Sequence, residues 1–200
     1  MEVNTEALVC AVRPHGEHGA IARLLTPEAG LIAGYVRGGR SRAIRPVLIP
    51  GNKVKAHFRA RHADQLASLN LELIDSRAPL LADPLASAAV DWTTALCAAV
   101  LPEEQPAHGL YSALDAVMMA LEAAPSARRW AGAILLFEGL MMHAMGFGGN
   151  APDRYEDWPS LFAGLNSNLV RLRRYLLTER QRELLAVRER LVDRLKRAVA

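Results

Sequence analysis

Short apolar runs separated by turn residues fill the first 80 residues of the chain. These runs predict five β-strands, at residues 7–12, 21–25, 31–36, 54–60 and 69–74. In the fourth run the apolar positions alternate with Lys55, His57 and Arg59, so one face of that strand should pack inward while the other is solvent-exposed and basic. Five short strands with a long connection between the third and the fourth favour a small OB-type barrel.

After Pro79 the alternating pattern gives way to helical spacing. Asp83 followed by Pro84 is a typical helix start, and Gly146 follows a long apolar stretch as a helix stop. The spacing predicts helices at residues 83–100, 106–122, 126–145, 165–177 and 179–199, the last of which begins at a capping-box pattern, Thr178 with Gln181. The predicted fold class is therefore α+β, with an OB-type barrel over residues 1–78 and an all-α domain over residues 79–200.

Charge is segregated along the chain, although the net charge is only +3. Residues 1–62 carry +6, residues 63–165 carry −9 and residues 166–200 carry +6. A basic module attracts polyanions whereas an acidic one repels them, so the N-terminal barrel is the expected polyanion site. For the amphipathic, basic final helix we expect docking onto the acidic middle of the chain, with DNA binding or an ordinary solvated face as the alternatives.

The densest basic segment is R-G-G-R-S-R-A-I-R, residues 37–45, directly after the third strand. Its two glycines permit tight backbone turns, and arginine guanidinium groups offer forked donors that match phosphate oxygens. The alternative is an ordinary solvated basic loop. We predict a nucleic-acid-binding surface that combines this loop with the basic face of the fourth strand and one stacking ring, made of Arg37, Arg40, Arg42, Arg45, Lys53, Lys55, Arg59, Arg61 and Tyr35. Phe58 shares its parity with apolar neighbours and is expected in the core.

The remaining chemistry-bearing residues form no recognisable catalytic set. His15, Glu17 and His18 lie in one short turn with no distant ligand to complete a metal site, and His143 stands among methionines, where a core position is expected. We predict no catalytic residues, no metal and no cofactor. Cys10 and Cys97 sit among apolar residues and are expected to be buried and reduced, as in a cytoplasmic protein; we see no secretion signal and no run of 18 apolar residues.

Together these motifs resemble the RecO family of recombination mediators. The family's N-terminal landmarks are a G-E turn, a strand ending in T-P-E-x-G, a strand ending in R-G-x-R and a P-G turn. Here they occur in that order as Gly16-Glu17, residues 26–30, residues 37–40 and Pro50-Gly51. P-E-E-Q-P, L-Y-x-x-L and M-G-F at residues 102–106, 110–114 and 145–147 are similar to landmarks of the family's helical domain. The chain lacks the cysteine-containing insertion that many members carry after this point.

The resemblance implies an OB fold followed by a helical domain, and an activity without nucleotide hydrolysis. It implies binding of single- and double-stranded DNA, annealing of complementary strands, partnership with RecR and help in loading RecA onto strands coated with single-stranded DNA-binding protein (SSB). It also implies contact with the acidic SSB tail and a cytoplasmic, nucleoid-associated location. Such a tail needs an apolar pocket rimmed by cations, and we assign it to Arg128 and Arg129, although these are equally well explained as exposed residues at a helix start. An RNA-binding OB protein and a pure protein adaptor are the rival interpretations.

Overall fold

A closed five-stranded barrel forms the N-terminal part of the fold. The computed structural model describes residues 2–62, 65–107, 109–124, 126–148, 157–177 and 182–199. The strands are β1 (Glu2–His15), β2 (Gly19–Thr26), β3 (Gly30–Val36), β4 (Lys53–Arg59) and β5 (Ala67–Asp75). They close in the order β1-β2-β3-β5-β4, and the β3–β5 pair is parallel while the other pairs are antiparallel. The predicted five-stranded barrel, with its long β3–β4 connection, is confirmed.

Strict alternation builds the barrel interior. In β4, Val54, Ala56 and Phe58 are fully buried, while Lys55 and Arg59 are exposed on the outer surface. Successive side chains of a strand point to opposite faces, so this pattern places the apolar set inside. The core position expected for Phe58 is confirmed. β1 is long enough to pair with β4 through its first half and with β2 through its second half, which closes the barrel.

Five helices follow a short 3₁₀ turn at Ala78–Ala82: α1 (Pro84–Val100), α2 (Leu110–Ala123), α3 (Ala127–Ala144), α4 (Trp158–Tyr175) and α5 (Arg182–Val199). The five predicted helices are present, and the Asp83 carboxylate caps α1 by accepting a hydrogen bond from the Leu85 amide at 2.8 Å. The predicted start of α2 at residue 106 is wrong, because Gly109 takes a left-handed conformation (φ 79°) immediately before the helix.

The predicted start of α4 at residue 165 is also wrong, because the helix begins at Trp158. A capping box fixes this start: Asp157 Oδ1 accepts from the Ser160 amide at 2.9 Å, and Pro159 occupies the first turn. D-W-P-S carries that signal in the sequence. The capping box predicted at Thr178 and Gln181 lies outside the described residues.

The apolar core of the helices continues onto the outer wall of the barrel. Leu8 and Cys10 of β1, Leu25 of β2 and Leu31 of β3 are buried in the same cluster as Trp92, whereas the barrel interior is a separate cluster. The backbone adds to this contact, since the Glu104 amide donates to the Leu31 carbonyl at 2.8 Å. The helices therefore cover one side of the barrel.

The predicted docking of the final helix is confirmed, with α5 packed along α1. Its contact with the acidic middle of the chain is local: the Arg188 guanidinium is buried and donates to both carboxylate oxygens of fully buried Glu138, at 2.7 and 3.0 Å. Glu138 also accepts hydrogen bonds from Trp92 Nε1 at 2.9 Å and from the side-chain nitrogen Nδ2 of Asn168 at 3.2 Å. A buried, fully hydrogen-bonded ion pair joins four helices at this point.

Candidate nucleic-acid interface

Three loops border one region of the outer barrel surface. The register of the sheet places His15 beside Gly19, Ala20 beside Val36, Tyr35 beside Ser68 and Ser68 beside Arg59. The β1–β2 turn and the start of the β3–β4 loop leave the barrel at one end, and the β4–β5 loop leaves it at the other, because β5 runs parallel to β3. The staggered register nevertheless places Ser68 and Arg59, which flank the β4–β5 loop, laterally beside Tyr35. We call this region around Tyr35, between the three loops, the loop end. In OB folds, such loops flank the surface that binds oligonucleotides.

Residues 37–45, the arginine loop, present four exposed guanidinium groups at the loop end: Arg37, Arg40, Arg42 and Arg45. The loop is held against the β1–β2 turn, because the Arg40 amide donates to the His18 carbonyl at 3.2 Å and its Nη1 donates to the Glu17 carbonyl at 3.1 Å. Within the described part of the chain, no carboxylate lies within ion-pair distance of these four groups. Their charge is available to an external anion.

A close backbone contact fixes the position of the arginine loop on the barrel. A Cβ on Gly39 would lie 2.7 Å from the Ala20 Cβ and 3.1 Å from its amide nitrogen, so only glycine allows the loop to lie this close to β2. Gly38 has a φ of +66°, a conformation that L side chains rarely adopt. Arg37 and Arg40 flank this pair of glycines and are both exposed.

Tyr35 lies half-buried on the outer surface beside the arginine loop. Its ring packs over Gly19, and its centroid is 5.9 Å from that of His15 in an edge-to-face arrangement. Arg13 shares the outward face of β1 with His15 and is exposed. Sequence reasoning missed Arg13; the only signal for it was its spacing of two residues from His15 on a strand. It adds a cation to the surface around Tyr35.

The outer face of β4 carries mixed charge instead of a purely basic stripe. Arg59 and Lys55 are exposed as predicted, but neighbouring strands place Glu2 opposite Arg59 and Glu6 and Glu72 opposite Lys55. Arg59 lies at the loop end, two strands from Tyr35 through Ser68, and exposed Arg61 follows it in the β4–β5 loop. Lys55 lies further along the strand, where flanking carboxylates reduce its attraction for phosphate.

Lys53 is at the opposite end of β4 and faces the helices. Its ammonium group lies 3.1 Å from Asp115 Oδ2 and 3.3 Å from Glu6 Oε2, and 5.8 Å from the ring centroid of Tyr111. The hydrogen bond to Asp115 raises the pKa of Lys53 above its ordinary value. The structure therefore groups Lys53 with the junction between barrel and helices and separates it from the other predicted DNA-binding residues.

Arg77 is the centre of that junction. Its side chain is 2% exposed and its guanidinium contacts Asp75 at 2.9 Å, Asp115 at 3.5 Å and Glu122. The Arg77 amide donates to the Asn52 side-chain oxygen at 2.8 Å, and buried Asn52 in turn donates to the Pro46 and Val47 carbonyls. The end of the β3–β4 loop is thus tied to the same cluster of charges. We call this cluster the junction.

Arg128 and Arg129 lie in the first turn of α3 and are exposed. Both line a cavity of about 180 Å³ between α3 and the start of α4, together with Trp158, Leu161 and Asp157. The cavity combines an apolar wall with two cations, and its acidic member is the α4 cap. Hydrogen bonds from Ser160 lower the pKa of Asp157, so this carboxyl is ionised at neutral pH.

The histidines take no part in a metal site in the structure described. His15 is the exposed last residue of β1, and Glu17 and His18 are exposed turn residues; among the described residues no group of three or more His, Cys, Asp or Glu side chains could hold a metal ion. The core position expected for His143 is wrong, because the side chain is exposed in the last turn of α3. Cys10 and Cys97 are buried and free, and no described helix is long and apolar enough to cross a membrane.

The chain matches two family models in succession. Residues 1–77 match the model described as "Recombination protein O N terminal", and residues 81–152 match "Recombination protein O C terminal". The chain belongs to the RecO family. The RecO match includes the arginine loop, the loop end and the junction, whereas α4 and α5 follow the last matched residue. The barrel is accordingly the OB-type domain of this family.

Curated RecO relatives are similar to this chain over the same extent. The DNA repair protein RecO of Phenylobacterium zucineum (strain HLK1) is 41% identical over 149 residues, which cover 74% of this chain and 60% of the relative. The DNA repair protein RecO of Rhodospirillum centenum (strain ATCC 51521 / SW) is 43% identical over 149 residues, covering 74% of this chain and 58% of the relative. The alignment therefore spans about three-fifths of the length of these RecO proteins.

Proposed function

We propose that this chain is a DNA repair and recombination mediator that binds single- and double-stranded DNA at the loop end of its barrel. The observation that carries the proposal is the arginine loop, four exposed guanidinium groups without a carboxylate partner in the described part of the chain. Forked donors of this kind match phosphate oxygens. Arg59, Arg61 and Arg13 extend the same positive surface around Tyr35.

Annealing requires no covalent chemistry on this surface. Two complementary strands repel each other through their phosphates, and a surface that neutralises both backbones lowers that barrier while leaving the base edges free to pair. Tyr35 can stack on an unpaired base at the moment of strand capture. We propose that the chain anneals strands in this way, without nucleotide hydrolysis, and that with RecR it helps to load RecA onto SSB-coated single strands.

The deciding experiment is annealing of complementary single strands coated with SSB, measured across a salt series. The native chain is compared with a variant in which Arg37, Arg40, Arg42 and Arg45 are all changed to Glu. Annealing by the native chain and its loss in the folded variant supports the proposal. Equal annealing by both proteins would remove the arginine loop from the DNA site, and inactivity of both would favour a protein adaptor.

A charge-preserving variant is the matched control. Changing the same four arginines to Lys keeps the net charge but removes the forked donor geometry. We expect this variant to retain the salt dependence of the native chain with weaker binding. Competition between DNA and RNA of the same sequence separates the mediator from an RNA-binding OB protein, because an RNA-specific site would recognise the 2′-hydroxyl and prefer the RNA strand.

For the SSB tail we propose the cavity lined by Arg128, Arg129 and Trp158. An acidic peptide that ends in an apolar residue would place its carboxylates on the two guanidinium groups and its apolar end against Trp158 and Leu161. Changing both arginines to Ala should abolish binding of a tail peptide. Asp157→Asn keeps a capping side chain but removes the repulsive charge, so it should tighten that binding. Unchanged peptide affinity in both variants would remove the cavity from the proposal.

A further inference from the structure

A second exposed surface of the helical domain combines stacked aromatic rings with arginines. The rings of Phe147 and Tyr175 stack with an interplanar angle of 12° and a centroid separation of 5.1 Å. Phe147 is 38% exposed and Tyr175 is 43% exposed, so neither ring is a core residue. With Gly148 and Arg171 they line an open depression of about 360 Å³. We call these residues, together with Arg174, the aromatic platform.

The structure holds the platform in place from both helices that form it. Gly146 (φ +83°) ends α3, and the Phe147 amide then donates to the Met142 carbonyl at 2.8 Å. From the other side, Arg171 Nη2 on α4 donates to the Phe147 carbonyl at 2.6 Å. These bonds fix the Phe147 backbone between the end of α3 and the last turns of α4. The ring pair is therefore a preorganised surface and not a chance contact of two mobile side chains.

Within the described part of the chain, one cation of the platform has no hydrogen-bond or ion-pair partner and is available to a ligand. Arg173 is engaged with Glu189 of α5 at 3.3 Å, and Arg171 is engaged with the Phe147 carbonyl. Arg174 is exposed, and its guanidinium carbon lies 5.3 Å from the ring centroid of Tyr175. Arginines in the last turn of a helix are also stabilised by the negative C-terminal end of the helix, so an exposed arginine there is common without any ligand. The exposed stacked rings beside Arg174 distinguish this surface from an ordinary helix end.

We propose that the aromatic platform binds a single nucleic-acid strand, with an unpaired base stacked on the exposed ring surface or on the guanidinium plane and Arg174 against the adjacent phosphate. Every base offers a π-face, so stacking on aromatic rings and arginine planes captures single strands without reading their sequence. Bases in a duplex are already stacked, and the platform thus selects single strands. This inference deepens the proposed DNA binding and rests on it, adding a contact on the helical domain that is separate from the loop end.

Photocrosslinking of the full chain to an oligonucleotide that contains 5-iododeoxyuridine is the direct test. Adducts on Phe147 or Tyr175, which persist when the four arginines of the arginine loop are changed to Glu, support the platform. Binding with adducts confined to the loop end, such as on Tyr35, overturns the platform and leaves the proposed function intact. Absence of any oligonucleotide binding by the native chain overturns both.

Two variants separate stacking from charge. Tyr175→Leu keeps an apolar side chain but removes the ring, and should weaken single-strand binding at least about fivefold while leaving its salt dependence unchanged. Arg174→Glu should weaken binding and reduce the salt dependence, since one phosphate contact is lost. Arg197→Glu is the matched charge control, because exposed Arg197 lies towards the far end of α5. Equal effects of Arg174→Glu and Arg197→Glu would overturn the assignment.

Discussion

The loop end and the junction both contain arginines, but they use them in opposite ways. At the loop end, Arg37 and Arg42 are exposed and have no carboxylate partner in the described structure. At the junction, Arg77 is almost fully buried and contacts Asp75, Asp115 and Glu122. The first arrangement leaves positive charge available to an external anion. The second neutralises it in ion pairs that hold the barrel and the helices together.

This difference shows that the number of cations in a segment does not locate an anion-binding surface. Lys53 and Arg59 belong to the same strand and the same face, yet Lys53 is neutralised by Asp115 and Glu6 whereas Arg59 lies at the loop end. The deciding quantity is the distance of each cation from a carboxylate of the same chain. Experiments that separate DNA affinity from folding stability therefore test the contrast between the two regions.

The largest expected effect is on DNA affinity at the loop end. If the exposed cations there engage about six phosphates, affinity for single-stranded DNA should fall roughly three-hundredfold between 50 and 200 mM salt, because counterions compete for the phosphates. Fluorescence anisotropy across a salt series measures this. The variant with Arg37, Arg40, Arg42 and Arg45 changed to Glu should lose both the affinity and most of the slope. A native slope close to zero would contradict the electrostatic account.

At the junction the expected effect is on stability. Arg77→Met removes a buried charge that three carboxylates contact, and unfolding should become easier by about 3 kcal/mol, at the low end for broken buried ion pairs because the carboxylates are partly exposed. Chemical denaturation measures it. The DNA salt slope should stay native.

Glu122→Gln is the milder companion variant, and it remains informative if Arg77→Met fails to fold. It leaves Arg77 its contacts with Asp75 and Asp115, so its cost should be clearly smaller. A loss of stability equal to that of Arg77→Met would contradict the assignment of three carboxylate contacts to Arg77. A loss of DNA affinity without loss of stability would show that the junction takes part in DNA binding.

The sequence predicted the barrel well because its information is local. Alternation in β4 and turn residues between the strands determine which side chains point inward, and both can be read from neighbouring positions. The starts of two helices were misplaced because caps decide them: the left-handed Gly109 and the Asp157 capping box override the apolar spacing. Exposure of His143 was also missed, since its face of α3 is determined by which helices pack there.

The candidate site was predictable only in part, for a related reason. The arginine loop is contiguous in sequence, so its four exposed arginines were found directly. Whether Lys53 is free to bind a phosphate depends on Asp115, which is 62 residues away in the chain. Phe147 and Tyr175 are likewise brought together by the packing of α3 and α4. Sequence spacing carries no signal for such long-range pairs, and only the tertiary structure reveals them.

A smaller effect should follow from disturbing how the arginine loop lies on the barrel. Gly39→Ala places a Cβ within 2.7 Å of the Ala20 Cβ, so the loop must shift away from β2 at a cost of about 1–2 kcal/mol. Because Arg37 and Arg40 flank Gly39, DNA affinity should fall as well, and anisotropy beside chemical denaturation would record both losses. Ala43→Ser, at an exposed loop position, is the control and should change neither. Unchanged affinity in Gly39→Ala would mean that the loop binds DNA without fixed geometry.

The smallest effect is expected for a change at Lys53, which lies at the junction and away from the loop end. Lys53→Met should cost less than about 1 kcal/mol, because its ion pair with Asp115 is partly solvated, and should leave the DNA salt slope unchanged. The folded-state pKa of Lys53 is raised, so its contribution is fully present at neutral pH and is lost only as pH rises above the ordinary lysine range. Denaturation at pH 7 and above pH 10 measures this: the difference between native chain and variant should shrink at the higher pH. A reduced DNA salt slope in Lys53→Met would instead return Lys53 to the nucleic-acid surface.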